Sequence, residues 1–213
     1  IHFLIFFQNK SKLYLFYSLY LLAITIYLFQ DVIDTDNSVF YNYFNFTIQF
    51  LAYAAFISFA RILLDTRAHI LIWDKYFEIA TKSLVVLAFL FVLIQLFLGF
   101  DYQVKAFVIV SSILSVFTLI AYYIVLTRIR DKFALFFIIG SLVYLVSANI
   151  SFLEFIIGKA FFIERGIEPM FFLYLGAIFQ ALIFSIIIGF TLKKIQDKSK
   201  NAEVKLALKL KEM

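Results

Sequence analysis

The sequence predicts an all-α, polytopic membrane helix bundle of seven transmembrane helices, the first truncated and the last running into a cytoplasmic coiled coil. Three observations predict it. Hydrophobic residues make up 64% of the 213 positions and charged residues 15%, whereas a soluble domain carries about 45–50% apolar and about 25% charged residues. No single soluble core could hide that much apolar surface, so a soluble enzyme or DNA-binding module is excluded. The apolar residues also fall into runs close to the roughly 20 residues that cross hydrocarbon. Finally, there is one proline, Pro169, and no cysteine. Long linkers, disulfides, thiolate nucleophiles and sulfur-ligated metals are thereby disfavoured.

Ile1–Phe7 is apolar but too short to span, and residue 1 is not methionine. The expectation is a chain that begins inside a first helix, as a segment of a larger protein. Six complete spans follow: Leu13–Gln30, Val39–Ala60, Ser83–Phe100, Ala106–Thr127, Phe133–Ile157 and Met170–Leu192. Each is an unbroken apolar run, as required where lipid cannot satisfy backbone amides. Asp31–Ser38 is polar, as an aqueous loop should be. Gly99 closes the third complete span, and Pro169 opens the last, where its missing N–H costs nothing. The longest connection, Leu64–Lys82, mixes Ile70, Leu71, Trp73, Phe77 and Ile79 with Asp74, Lys75 and Glu78. It reads either as a short interfacial helix or as a loop that extends the two neighbouring helices.

Charge sets the direction. Lys105, Lys159 and Arg165 fall on one side; the other sixteen of the nineteen Lys and Arg fall opposite. Those sixteen include Arg61, Arg67, Lys75 and Lys82 in one loop and seven lysines after Leu192. The positive-inside rule makes that side cytoplasmic. The chain is thus expected to be a multi-pass protein of a cytoplasmic membrane with its C-terminus in the cytoplasm.

Polar residues within spans recur at helical spacing. Gly140, Tyr144, Ser147, Ser151 and Glu154 share a face, as do Ser111, Ser115, Thr118 and Tyr122. In the last span Ala177, Ala181, Ser185 and Gly189 form a small-residue line, with Gly176 and Gln180 beside it. Asn42, Asn45 and Gln49 lie near the outer end of their span. Such stripes serve helix packing or line a ligand cavity. Asn42, Asn45 and Glu154 lie at one outer depth, and the hypothesis is that they border a shallow extracytoplasmic ligand pocket.

Catalytic signatures are missing. The sequence holds no His-Glu-x-x-His, no Gly-x-Ser-x-Gly and no phosphate-cradling glycine loop. His2 and His69 are the two histidines, one at the chain edge and one in a loop, so no metal pair is expected. The last-span lysines, Lys193 and Lys194, sit at the rim rather than mid-span, which argues against retinal. No catalytic residue, cofactor or nucleic-acid contact is assigned to this segment.

After Leu192 the chain becomes charged yet keeps a helical pattern. Leu192, Ile195, Ser199, Ala202 and Leu206 step alternately by three and four, the spacing of coiled-coil a and d positions. Lys209 breaks the seam, and Leu210 and Met213 resume it one place later. No proline interrupts Met170–Met213, so the last span is expected to continue as one rod. Residues 1–192 therefore read as the membrane domain and 193–213 as a signalling helix that pairs in a homodimer. A basic helix lying on anionic lipid is the other reading.

Three stretches resemble the bacterial seven-transmembrane receptors with diverse intracellular signalling modules. HFLIFFQNKSKLYLFYSLYLL is similar to the family's first-to-second helix junction. FARILLDTRAHILIWDKYF resembles its third-to-fourth helix loop, from Phe59 and Asp65 to Asp74 and Lys75. LGAIFQALIFSIIIGFTLKKI resembles its seventh helix, with Gly176 and Ser185 in place. The family often has Glu where Gln180 stands. The resemblance implies a sensor with an extracytoplasmic domain before the first helix, often thought to bind carbohydrate-like ligands. It also implies a histidine kinase, cyclase, phosphatase or DNA-binding module after the last. Gly176, Gln180, Ser185, Gly189, Leu192, Ile195, Ala202 and Leu206 are then the packing and relay positions. Two other readings remain: a six-span transporter or channel lined by Gln49, Ser115, Ser147 and Asn149, and a passive membrane anchor.

Overall fold

The computed structural model describes residues 11–29, 39–158, 162, 164–166 and 168–212. Side chains are described for all of these except 39, 154–156, 169, 192, 194–196, 198, 199 and 202–212. The Ile1–Phe7 remnant and the Asp31–Ser38 loop lie outside the described residues. The described residues form seven helices and no strand: α1 (Lys12–Phe29), α2 (Val39–Leu63), α3 (Thr66–His69), α4 (Leu71–Leu98), α5 (Phe100–Arg128), α6 (Lys132–Ile157) and α7 (Pro169–Glu212). Six of them, all but α3, are long and apolar enough to cross a membrane. The fold is an all-α membrane helix bundle.

Helix ends differ from the hydropathy boundaries. α4 begins at Leu71, well before Ser83, and α5 begins at Phe100 rather than Ala106. Hydropathy marks only the stretch that must be apolar, whereas hydrogen bonding carries a helix on into water. The Leu64–Lys82 connection is accordingly an extension of α4 preceded by the one-turn α3. Gly99 alone separates α4 from α5. Its φ of 87° is in the region that favours glycine, and its N–H reaches back to Ile94 O at 3.2 Å.

The chain divides into two compact units, residues 1–130 and 131–213. In the first, α2 is the central element. One face meets α1, where Tyr17 stacks near Phe59 at 5.1 Å and Tyr20 near Phe56 at 5.6 Å. The buried α1 residues Leu13, Tyr17, Tyr20, Ile24 and Tyr27 follow the three-four spacing of a single stripe. Another face meets α4, whose buried residues Asp74, Phe77, Leu84, Ala88 and Phe91 do the same. Phe50 packs edge-on to Phe91 at 4.7 Å, and Thr47 Oγ1 donates to Ala88 O at 3.0 Å. Phe107 of α5 stacks on Phe46 at 4.2 Å.

The second unit is an antiparallel pair. Phe137 of α6 stacks flat on Phe184 of α7 at 4.9 Å. Further along, Gly176 comes so close to α6 that a Cβ there would lie 2.6 Å from Ser147 Cβ. α7 has no break over 44 residues.

Candidate functional site

The most developed polar constellation sits at the Arg-bearing end of the first unit. It is assembled from the end of α2, the α3 turn and the start of α4. Asp65 takes a left-handed backbone conformation, φ 45° and ψ 51°, and turns the chain into α3. Ala68 N donates to Asp65 O at 3.0 Å, and His69 Nδ1 lies 3.0 Å from the same oxygen. The turn swings Thr66 inward, where it is buried. α4 then starts so that Asp74 faces α2.

Asp74 is the hub. Arg61 donates through Nε to Oδ1 at 2.8 Å and through Nη2 to Oδ2 at 3.0 Å, a bidentate pair. Thr66 Oγ1 donates to Oδ1 at 2.6 Å. The side chain of Asp74 is 7% exposed and that of Arg61 23%. Arg61 Nη2 also lies 3.4 Å from Glu78 Oε2, and Glu78 Oε1 accepts from Lys82 Nζ at 2.7 Å. Four charged groups and one hydroxyl thus lock three consecutive elements. Such a lock ties the end of α2 to the first three turns of α4. It can transmit a displacement of one helix to the other.

Two further polar contacts lie apart within the first unit, one between α4 and α5 and one between α2 and α5. Gln103 is 1% exposed, and its Nε2 donates to Phe91 O at 2.9 Å. Tyr53 of α2 and Thr118 of α5 share a hydroxyl–hydroxyl bond, and Thr118 Oγ1 donates to Leu114 O at 2.7 Å.

The residues singled out from sequence distribute as follows. Asn42 is exposed; Asn45 is half-buried and accepts from Gln49 Nε2 at 3.2 Å. Both belong to the first unit. Glu154 belongs to α6 in the second, and its side chain lies outside the described ones. Gly176 and Gln180, the latter 1% exposed, face α6 together with Leu173, Phe184 and Ile188. Ser185 is half-buried and Gly189 is exposed, with nothing within 4 Å of a Cβ built on it. Each residue of the line from Ala177 to Gly189 instead follows Gly176, Gln180, Phe184 or Ile188 by one position, about 100° round the helix, so the line lies beside that contact rather than on it. Leu192, Ile195, Ala202 and Leu206 lie on α7 with side chains outside the described ones.

Sequence spacing missed the Arg61–Asp74–Thr66 lock. One signal could have found it. Asp74 shares the three-four register of Phe77, Leu84, Ala88 and Phe91. A carboxylate on a buried stripe requires a partner, and Arg61, directly after the preceding span, is one of the few cations near it. Among the described residues no group of three or more His, Asp or Glu could hold a metal ion.

Fold and composition define a polytopic α-helical membrane protein. Over residues 1–190 the chain matches the family described as 7TM diverse intracellular signalling, and it belongs to that family. This makes it a membrane-embedded signalling domain. No curated protein and no solved structure matches the chain.

Proposed function

We propose that the chain is the membrane part of a bacterial receptor. A stimulus outside the cytoplasmic membrane would bias two arrangements of the bundle, and α7 would carry the bias to a cytoplasmic output module such as a histidine kinase, cyclase or DNA-binding domain. The supporting observation is the continuity of α7 from Pro169 to Glu212. Its 44 residues correspond to about 66 Å of helix, against about 30 Å of hydrocarbon. One element is therefore long enough to cross the hydrocarbon and reach far beyond it. Gly176 presses its outer half onto α6, so a change in that packing moves the whole rod. The coupling needed is modest, about 1–3 kcal/mol.

The three-four spacing of Leu192, Ile195, Ser199, Ala202 and Leu206 supports a parallel pairing of two such rods in a homodimer. The Arg61–Asp74 lock would hold the cytoplasmic ends of α2 and α4 as one body.

The test is register. The full chain is fused at Met213 to a histidine kinase reporter, and one residue is inserted after Leu192. The insertion rotates everything downstream by about 100° and should switch or abolish output, while a seven-residue insertion should restore it. Output indifferent to register would remove the relay reading and leave a passive anchor.

A further inference from the structure

We propose that the outward face at the start of α4 binds anionic phospholipid headgroups, through Lys75 and the cations that flank it. The assignment rests on the membrane spans alone and stands apart from the receptor reading.

Depth comes from the hairpin of α4 and α5. Gln103 reaches Phe91 O, and the rings of Phe77 and Phe117 lie 6.2 Å apart. In both contacts the two residue numbers add to 194, so one antiparallel register holds along the pair. In that register Leu71–Lys82 runs beside residues 112–123 of α5, which carry no charge and belong to a run that stays apolar to Thr127. The polar start of α4 therefore still borders lipid on the side that packs against neither α2 nor α5. On that side Ile72, Tyr76 and Ile79 are each more than half exposed. They continue by alternate steps of four and three into Ser83, Val86, Leu90 and Leu93, all exposed. Lipid covers the later part of this stripe, and no break marks a point where a protein partner would take over. Trp73, Tyr76 and the exposed Tyr123 fall within about 8 Å of depth in the same register, an interfacial aromatic belt.

Charge selects the headgroup. Residues 61–82 and 128–130 hold six cations and three carboxylates. Arg61 and Lys82 engage Asp74 and Glu78, and Asp65 is exposed. Arg67, Lys75, Arg128 and Arg130 are exposed and pair with no carboxylate among the described residues. Lys75 stands on the apolar stripe itself, three residues after Ile72 and four before Ile79. A soluble anion would answer its charge but leave Ile72 and Ile79 uncovered. A zwitterionic lipid covers them but brings an ammonium of its own, which competes with the lysine. An anionic phospholipid supplies both acyl chain and uncompensated phosphate. Lys75 also adjoins Asp74, so a headgroup held there acts on the same turn of α4 that Arg61 ties to α2.

The experiment uses the full chain in phosphatidylcholine nanodiscs, with Trp73, the only tryptophan, as the probe. An equal minor share of the lipid is replaced by phosphatidylglycerol or by phosphatidylcholine, each with brominated acyl chains, and the quenching of Trp73 is compared. Both leaflets are alike, so the orientation of the chain does not enter. Brominated phosphatidylglycerol is expected to quench several-fold more strongly at low salt, and high salt should erase the preference. Lys75→Gln should remove most of the preference and Arg128→Gln part of it. Lys105→Gln, near the other end of α5, should leave it intact, which separates a local site from overall charge. All three side chains are exposed, so the variants should fold, which size-exclusion profiles check. Equal quenching by the two lipids, or a preference unchanged in the Lys75→Gln, Arg128→Gln double variant, overturns the proposal. So does a Trp73 that neither lipid quenches, which would put this face in water or under protein.

Discussion

Arg61 and Asp74, thirteen residues apart, are joined by two parallel hydrogen bonds of 2.8 and 3.0 Å that span the turn between α2 and α4. Removing the guanidinium leaves a nearly buried carboxylate with only Thr66 to solvate it. Loss of one partner of a buried pair costs about 3–5 kcal/mol, and the partial exposure of Arg61 places this case at the low end. Arg61→Ala should therefore lower stability by about 3 kcal/mol in detergent unfolding. Asp74→Asn should cost less, because Arg61 can turn to Glu78 and water. Arg61→Lys should recover only part of the loss, since an ammonium cannot make the forked pair. Equal, small losses for R61A and D74N would show that the lock is not a stability element.

Gly176 and Gly189 lie on one helix and should answer oppositely to the same change. A Cβ at 176 would lie 2.6 Å from Ser147 Cβ and 3.3 Å from Tyr144 Cα. Overpacking of this kind costs about 1–3 kcal/mol, so Gly176→Ala should destabilise the α6–α7 pair. Ser147→Gly should restore much of the loss in the double variant, because it removes the nearest atoms. Gly189→Ala meets nothing within 4 Å and should be neutral or mildly stabilising. Thermal aggregation midpoints of the four proteins measure this; equal effects at the two glycines would contradict the close approach.

Gln103 should tolerate an apolar replacement despite its burial. Its Nε2 bonds to Phe91 O, a carbonyl within a helix, while its Oε1 is buried with no protein partner. Replacing it by an apolar group of similar shape removes an unsatisfied acceptor along with one bond. Gln103→Met is expected within about 1 kcal/mol of the parent in either direction. Gln103→Glu, which puts a charge there, should be clearly worse. A large loss in Q103M would mean that Oε1 is satisfied by an ordered water.

Topology can be read without background, because the chain has no cysteine. Lys200→Cys in intact cells should resist a membrane-impermeant maleimide and react after permeabilisation. Tyr102→Cys, in the first turn of α5 and exposed, should react before it. The reverse pattern would invert the proposed orientation, and with it the sense of the signal.

The positions of the spans were legible because the cause is local. Hydrocarbon thickness and backbone satisfaction act on each apolar run by itself, so Leu13–Gln30 or Phe133–Ile157 could be located to within a few residues. Helix ends beyond the lipid were not, as Leu71 and Phe100 show, since polar helix residues carry no hydropathy signal. The unbroken course of α7 was also legible: the single proline stands at its first residue, and the pattern of good helix formers continues past Leu192.

What the amino-acid sequence determined alone was the class: a multi-span helical membrane chain, its runs, and its kinship with a signalling family. What only the tertiary structure decided was which polar groups meet. Spacing placed Gly176 and Gln180 beside a small-residue line, but helix rotation decided that they, rather than Gly189, face α6. It likewise decided that Asp74 finds Arg61 and Thr66, and that Gln103 finds the backbone of Phe91. Spanning depends on the sum of transfer energies along one segment. Pairing depends on the rotation, tilt and closest approach of two, and those follow from packing the whole unit.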